Sequence, residues 1–325
     1  MEFFKASKNI NFMGMVKPVF TFSLLVTIVS FWLIFTKGFH FGIDFSGGTV
    51  IQVQYKNVAP IEEIRKHLES QGFQGAGIQE FGSPNEIVIR LQNGSSDVKR
   101  DMGDQMREVL AGTGDFQIRR VDMVGPKVGG ELQEKGAMAL IVATLGILIY
   151  VAFRFEWRFG VAAIIALVHD LVITAGMVSL FEVEFDLTVL AALLTILGFS
   201  INDTIVIFDR IRETIHDTKE TSRYHLADLI NESVTMTLSR TILTVATVFF
   251  VVLTLFLFGG EIIHGFSFAM LVGVIFGAYS SIFVASPFLI WFGYDIAKAK
   301  AKEAEKAKLK AEKDRMRAQF ENGVV

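Results

Sequence analysis

Six stretches of this chain constrain it more than anything else. Residues 19–36, 136–153, 159–181, 187–208, 241–260 and 265–294 are each apolar and almost free of charge. About 18–20 such residues in a helix cross a hydrocarbon core, and in lipid a helix satisfies its own backbone hydrogen bonds. The chain therefore reads as an α-helical membrane protein with six transmembrane helices. Its composition agrees, since 51% hydrophobic and 20% charged residues is too apolar for a soluble domain of this length. There is no cysteine, which excludes disulfides, thiolate chemistry and Cys-ligated metal. A net charge of −3 leaves no basic face for nucleic acid.

Residues 1–18 place Lys5, Lys8 and Lys17 ahead of the first run. That run is long for a signal peptide and ends at Lys37 without a small-residue cleavage site, so it reads as an uncleaved anchor. Arg154 and Arg158 separate runs two and three; Arg210, Arg212, Lys219 and Arg223 follow run four; a lysine-rich tail, 295–325, follows run six. The alternate loops hold Glu182, Glu184 and Asp186, and Glu261 with His264. The positive-inside rule then puts both termini in the cytoplasm and residues 37–135 on the outer side of the membrane. Segment 209–239 mixes polar and apolar residues and is expected as one or two amphipathic helices along the inner face. The charged, alanine-rich tail is expected as a solvated helix drawn to anionic lipid.

Within the outer segment, β-branched content and alternation predict strands at 49–57, 77–81, 86–92 and 115–123, with helices at 61–71 and 96–111. The order βαββαβ is that of a ferredoxin-like α+β domain. No carboxylate pair, histidine cluster or nucleophile elbow marks it as catalytic, so binding or force transmission suits it better. Two glycine-rich boxes flank it, Gly42-Ile-Asp-Phe-Ser-Gly-Gly-Thr49 and Gly125-Pro-Lys-Val-Gly-Gly-Glu-Leu132. Gly42, Asp44, Gly47, Gly48, Gly125, Pro126 and Gly129 stand there as a conformational seat or hinge, because glycine permits positive φ and close packing. Neither box has the GxxxxGK[ST] pattern of a phosphate loop.

The residues with chemistry to offer lie inside the spans. The third carries His169 and Asp170 near its centre, the fourth Asn202 and Asp203, and the fifth opens at Arg240 with Thr244 and Thr247 on the same face. A lone Asp in mid-membrane costs roughly 2.5–3.5 kcal/mol on insertion scales, so it normally has a partner and a task. Asp203 lies about 7–8 Å from the inner end of its span at 1.5 Å per residue, the depth at which Arg240 enters. The two are expected to meet as a buried acid–base pair, either cycling a proton or merely locking helices. His169 and Asp170 extend the relay or serve as interhelical hydrogen bonds. Gly273 and Gly277 match GxxxG, a close-contact pattern. There is no HExxH or GxSxG for an intramembrane hydrolase.

These boxes also resemble a known family. GIDFSGGT, GPKVGGEL, the VHD of 168–170, GFSINDTIVIFDRIRE and LSRTILT (238–244) are similar, in order and over nearly the whole chain, to those of the SecF family, the smaller membrane subunit of the SecDF complex. The resemblance implies half of an RND-like, proton-driven architecture. It implies a non-enzymatic subunit of the bacterial inner membrane, with residues 37–135 in the periplasm, that works with SecD and the SecYEG translocon, downstream of the SecA ATPase, on unfolded preprotein. It also implies Asp203 and Arg240 as proton-coupling residues, without a cofactor. Sodium remains open as the driving ion, since an Asp among Ser and Thr neighbours serves either cation. Phe199 stands where many relatives would carry Tyr. A self-contained small-molecule exporter would need a second six-span half, and a structural scaffold would not need the acid.

Overall fold

The computed structural model describes residues 9–73, 75–91, 102–218 and 225–321. The expected start of a helix at Ser96, and Lys5, Lys8, Lys219 and Arg223, lie outside these residues. Among the described residues, six helices are long and apolar enough to cross a membrane. They are α1 (Val16–Thr36), α5 (Pro126–Arg154), α6 (Trp157–Leu180), α7 (Leu187–Asp217), α8 (Leu226–Phe258) and a last one that begins as α9 (Glu261–Ser280). In the last helix a π-helical turn, Ser281–Ala285, precedes α10 (Ser286–Trp291). Pro287 has no amide to donate back to the carbonyl of Phe283, and the Ser286 hydroxyl instead donates to the Ser281 carbonyl at 2.9 Å.

The spans form two shells. More than half of the most apolar stretch is buried in α6, α7 and the last helix (56% each), against 17%, 11% and 11% in α1, α5 and α8. The inner three approach closely through small residues. A Cβ on Gly273 would stand 2.3 Å from Ile196, and one on Gly277 would stand 3.2 Å from the Ser200 Cβ. The GxxxG pair therefore lets α9 lie directly on α7.

The outer segment folds as a four-stranded antiparallel sheet, β1 (Gly48–Tyr55), β2 (Gly77–Phe81), β3 (Ser83–Leu91) and β4 (Phe116–Val124), in the order β2-β3-β1-β4. Helices α3 (Ile61–Ser70) and α4 (Met102–Val109) cover one face. Alternation decides which face: Ile51, Val53 and Tyr55 of β1 and Ile87, Ile89 and Leu91 of β3 point inward, pack on Ile64, Leu68 and Met106, and are buried. The register pairs Ile51 with Ile89 and Val53 with Ile87. Burial of each such side chain contributes about 1.5–3 kcal/mol.

Box 125–132 opens a helix: Gly125 is an extended N-cap, Pro126 holds the first helical position, and α5 runs on from there through the second span. Proline fits that position because its missing amide would go unpaired there anyway. The described residues of segment 209–239 do not form the separate surface helices expected there. It continues α7 to Asp217 and opens α8 at Leu226, with Ile211, Ile215, Leu229 and Ile230 in one buried cluster. Its apolar stripe packs helix on helix rather than on lipid. The short helix between the first span and β1, α2 (Ile43–Ser46), also lies inside a glycine box. The tail forms α11 (Ile296–Glu321).

The two boxes sit on each other. Gly47 takes φ +72° with ψ 158°, a region open essentially to glycine alone. A Cβ there would stand 2.7 Å from the Pro126 Cα, and one on Gly129 would stand 2.9 Å from the Gly47 nitrogen. Backbone rests on backbone, which is the geometry of a seat.

Candidate functional site

Asp170 is the most enclosed carboxylate of the membrane helices, with no exposed surface. The His169 Nδ1 lies 2.9 Å from its Oδ1, and the hydroxyls of Ser200 (2.6 Å) and Ser280 (2.8 Å) donate to its Oδ2. On its other side the His169 Nε2 is 2.6 Å from the Ser23 hydroxyl of α1. One acid thus gathers α1, α6, α7 and α9. A Cβ on Gly277, a turn before Ser280, would come no nearer than ordinary contact, 3.7 Å, to the same oxygen.

Asp203 lies one turn further along α7 than Ser200 and is buried, 7% exposed. Thr241 of α8 donates to its Oδ1 at 2.9 Å. Its Oδ2 is buried with no hydrogen-bond partner among the described residues. A buried carboxylate oxygen without a donor is costly and calls for an explanation in function. Thr204, its neighbour, shares a 2.8 Å hydrogen bond with Ser281 at the π-turn. Such turns occur frequently at functional sites.

The expected Asp203–Arg240 ion pair is not made. The α8 residue that reaches the acid is Thr241, one position on, while Arg240 is exposed. Successive residues of a helix point about 100° apart, so contact by one turns its neighbour aside. Thr244, expected on the same face as Arg240, is exposed with it, and so is Asn202. Four hydroxyl residues escaped the sequence reading: Ser23, Ser280, Ser281 and Thr241. The Ser280–Ser281 doublet in an otherwise apolar span was the available signal, because hydroxyls there usually bond across helices.

Asp209, after the span, is held by Arg154 at the end of α5 at 2.7 Å. The hinge-box residues lie far along the chain from this network: Asp44 accepts the amide of Leu187, the first residue of α7, at 3.1 Å.

Residues 105–295 match the family described as protein export membrane protein SecD/SecF, C-terminal, and residues 32–57 match the SecD/SecF GG motif. The protein translocase subunit SecF of Helicobacter pylori J99 is 44% identical over 326 residues, with 100% of each chain covered. The chain belongs to the SecF family. SecF of Vibrio alginolyticus is 44% identical, covering 90% of this chain and 92% of its own. The crystal structure of SecDF, a translocon-associated membrane protein from Thermus thermophilus, matches with TM-score 0.79 at 37% identity, over 90% of this chain and 40% of that one. A SecDF structure in a super-membrane-facing form matches with TM-score 0.65 over 94% of this chain and 41% of that one. The chain therefore spans about two fifths of the length of the SecDF chains it matches. SecF membership together with six apolar helices makes it a multi-pass membrane protein.

Proposed function

We propose that this chain is the SecF-type subunit of the Sec protein-export machinery and that, with SecD, it uses the proton motive force to draw unfolded preprotein across the inner membrane. The observation that carries the reading is Asp203, a membrane carboxylate buried with one oxygen unpartnered. A group that alternates between charged and neutral needs both states to be accessible, and an acid with one satisfied and one open oxygen is poised between them. Asp170, by contrast, has donors on both oxygens, which suits a helix lock beside the coupling site.

Arg240 completes the site in the assembly. It shares the exposed side of α8 with Thr244 and Thr247, while Ala191, Thr195, Gly198 and Asn202 line an exposed stripe of α7. Polar and small residues at membrane depth favour helix contact over lipid. SecD supplies the second, six-helix half of an RND-like pair against this stripe. The outer domain, read as ferredoxin-like from its βαββαβ order and antiparallel sheet, contacts preprotein leaving SecYEG after SecA has pushed it through. Both termini are cytoplasmic, and the subunit performs no bond chemistry.

The test is export of a reporter into vesicles holding the subunit, SecD, SecYEG and SecA, with a proton or a sodium gradient imposed separately. Stimulation by the proton gradient alone supports the reading. Stimulation by sodium alone replaces the proton with that cation, and no stimulation by either refutes gradient coupling.

A further inference from the structure

We propose that Arg90 and Glu184 are positioning residues that tie the acid-bearing helix α7 to the outer domain, so that α7 moves the sheet directly. The inference rests on the reading of Asp203 above and names the route by which its movement leaves the membrane.

The turn between α6 and α7, residues 181–186, is a strap bound on three sides. Arg90, on β3 of the outer sheet, forms an ion pair with Glu184. The Phe185 amide donates to the His40 carbonyl at 2.7 Å, and the Gly42 amide donates to the Phe185 carbonyl at 2.9 Å. These bonds join the strap in a parallel bridge to the segment that leads into β1. The Phe185 ring packs among Phe39, Phe41 and Phe45, with centroids 4.9, 5.9 and 5.8 Å away. Asp44 then bonds the first amide of α7, beside its own cap, Asp186, which accepts from Val189 at 2.8 Å. At the other end of the turn Lys37 pairs with Glu182 at 2.8 Å.

Glycine makes the arrangement possible. A Cβ on Gly42 would stand 2.9 Å from the Glu184 Oε1 and 3.1 Å from the Asp186 Cβ. The first glycine of the box thus keeps open the space in which the Glu184 carboxylate lies against the chain. Residues 187 to 203 of α7 form a rigid rod of about 24 Å at 1.5 Å per residue, with the strap at one end and Asp203 near the other. A shift or tilt of α7 on a change of charge at Asp203 therefore reaches β3 through Glu184 and Arg90. Arg90 is exposed and Glu184 only half-buried; ion pairs near the surface contribute little to stability, so the role assigned to this pair is transmission.

The test is a double-mutant cycle in vesicles holding the complete export complex, with ATP-driven and gradient-driven export read separately. The variants are Arg90→Met, Glu184→Gln and their combination. Each single change is expected to lower gradient-driven export by about fivefold, a ratio within the coupling seen for residues in contact. The ATP-driven part stays unchanged, and the combination loses no more than either single. Unchanged gradient-driven export in the singles, losses that multiply in the combination, or an equal fall in ATP-driven export each overturn the proposal. Asp203→Asn in the same preparation separates the two layers. If that variant keeps its gradient dependence, the reading of Asp203 fails; if it loses it while the strap variants do not, the strap alone fails.

Discussion

Three glycines from the two boxes should respond to alanine in three different ways. Gly130 lies inside α5, and a Cβ there meets nothing within 4 Å. Alanine at that position relieves the backbone entropy of a helical glycine and stabilises by roughly 0.5–1 kcal/mol. Gly129, its neighbour, is also helical, but its Cβ would stand 2.9 Å from both the Gly47 nitrogen and the Phe45 carbonyl oxygen. Both are backbone atoms and cannot rotate away, so α5 or the loop must move, at the roughly 1–3 kcal/mol typical of overpacking. Gly47 adds conformational strain to a similar clash: φ +72° with ψ 158° costs a side chain of order 1–3 kcal/mol by itself. Gly47→Ala therefore loses about 2–6 kcal/mol in sum. Thermal unfolding of the purified subunit, followed by tryptophan fluorescence or by loss of soluble protein, reads the order. The expected ranking is Gly130→Ala at or above wild type, Gly129→Ala below it, and Gly47→Ala lowest. Equal midpoints for Gly129→Ala and Gly130→Ala would refute the seat, because only backbone contact distinguishes them.

Ser280→Ala removes one of two hydroxyl donors from the Asp170 Oδ2 and should cost about 1.5–3 kcal/mol, the range for hydrogen bonds to charged groups; comparison of unfolding midpoints with Ser200→Ala and the double variant checks it. Glu184 carries a pH dependence of defined sign. Burial, chiefly, with Asp186 and Asp44 adding to it, pushes its carboxyl above the ordinary range, against the pull of Arg90. The folded protein therefore holds that proton to higher pH than the unfolded chain. Its contribution to stability is fully present below the ordinary glutamate value of about 4.3 and is lost as pH rises through the elevated one. Glu184→Gln should show a smaller decline in melting temperature across that acid window than wild type does.

Much of this was legible in the chain because the signals were long or repeated. Six apolar runs survive any uncertainty at their ends, and the alternation of Ile51, Val53 and Tyr55 identifies a strand face without reference to its partners. The order of strands and helices in the outer domain followed from such patterns. What sequence could not supply was angular precision. Two α8 residues, Arg240 and Thr241, compete for one acid, and only helix rotation decides which arrives; Thr241 does. The π-turn at Ser281–Ala285 was hidden for a similar reason, since its cause is a lone Pro287 whose effect is local. Segment 209–239 looked amphipathic and is, yet amphipathicity does not say whether the apolar stripe meets lipid or another helix. A lone hydroxyl such as Ser23 carries no pattern of its own and acquires meaning only from the His169 ring it meets.

The central claim is that Asp203 is where a transmembrane ion gradient is converted into movement, with Arg240 as its cationic counterpart in the assembled complex. The most direct measurement is reporter export by vesicles holding the complete machinery, with and without an imposed gradient, for wild type, Asp203→Asn and Arg240→Met. The account predicts that both variants assemble with SecD and support ATP-driven export, while the increment added by the gradient disappears. Survival of that increment in both variants would contradict it, leaving Asp203 as a structural residue.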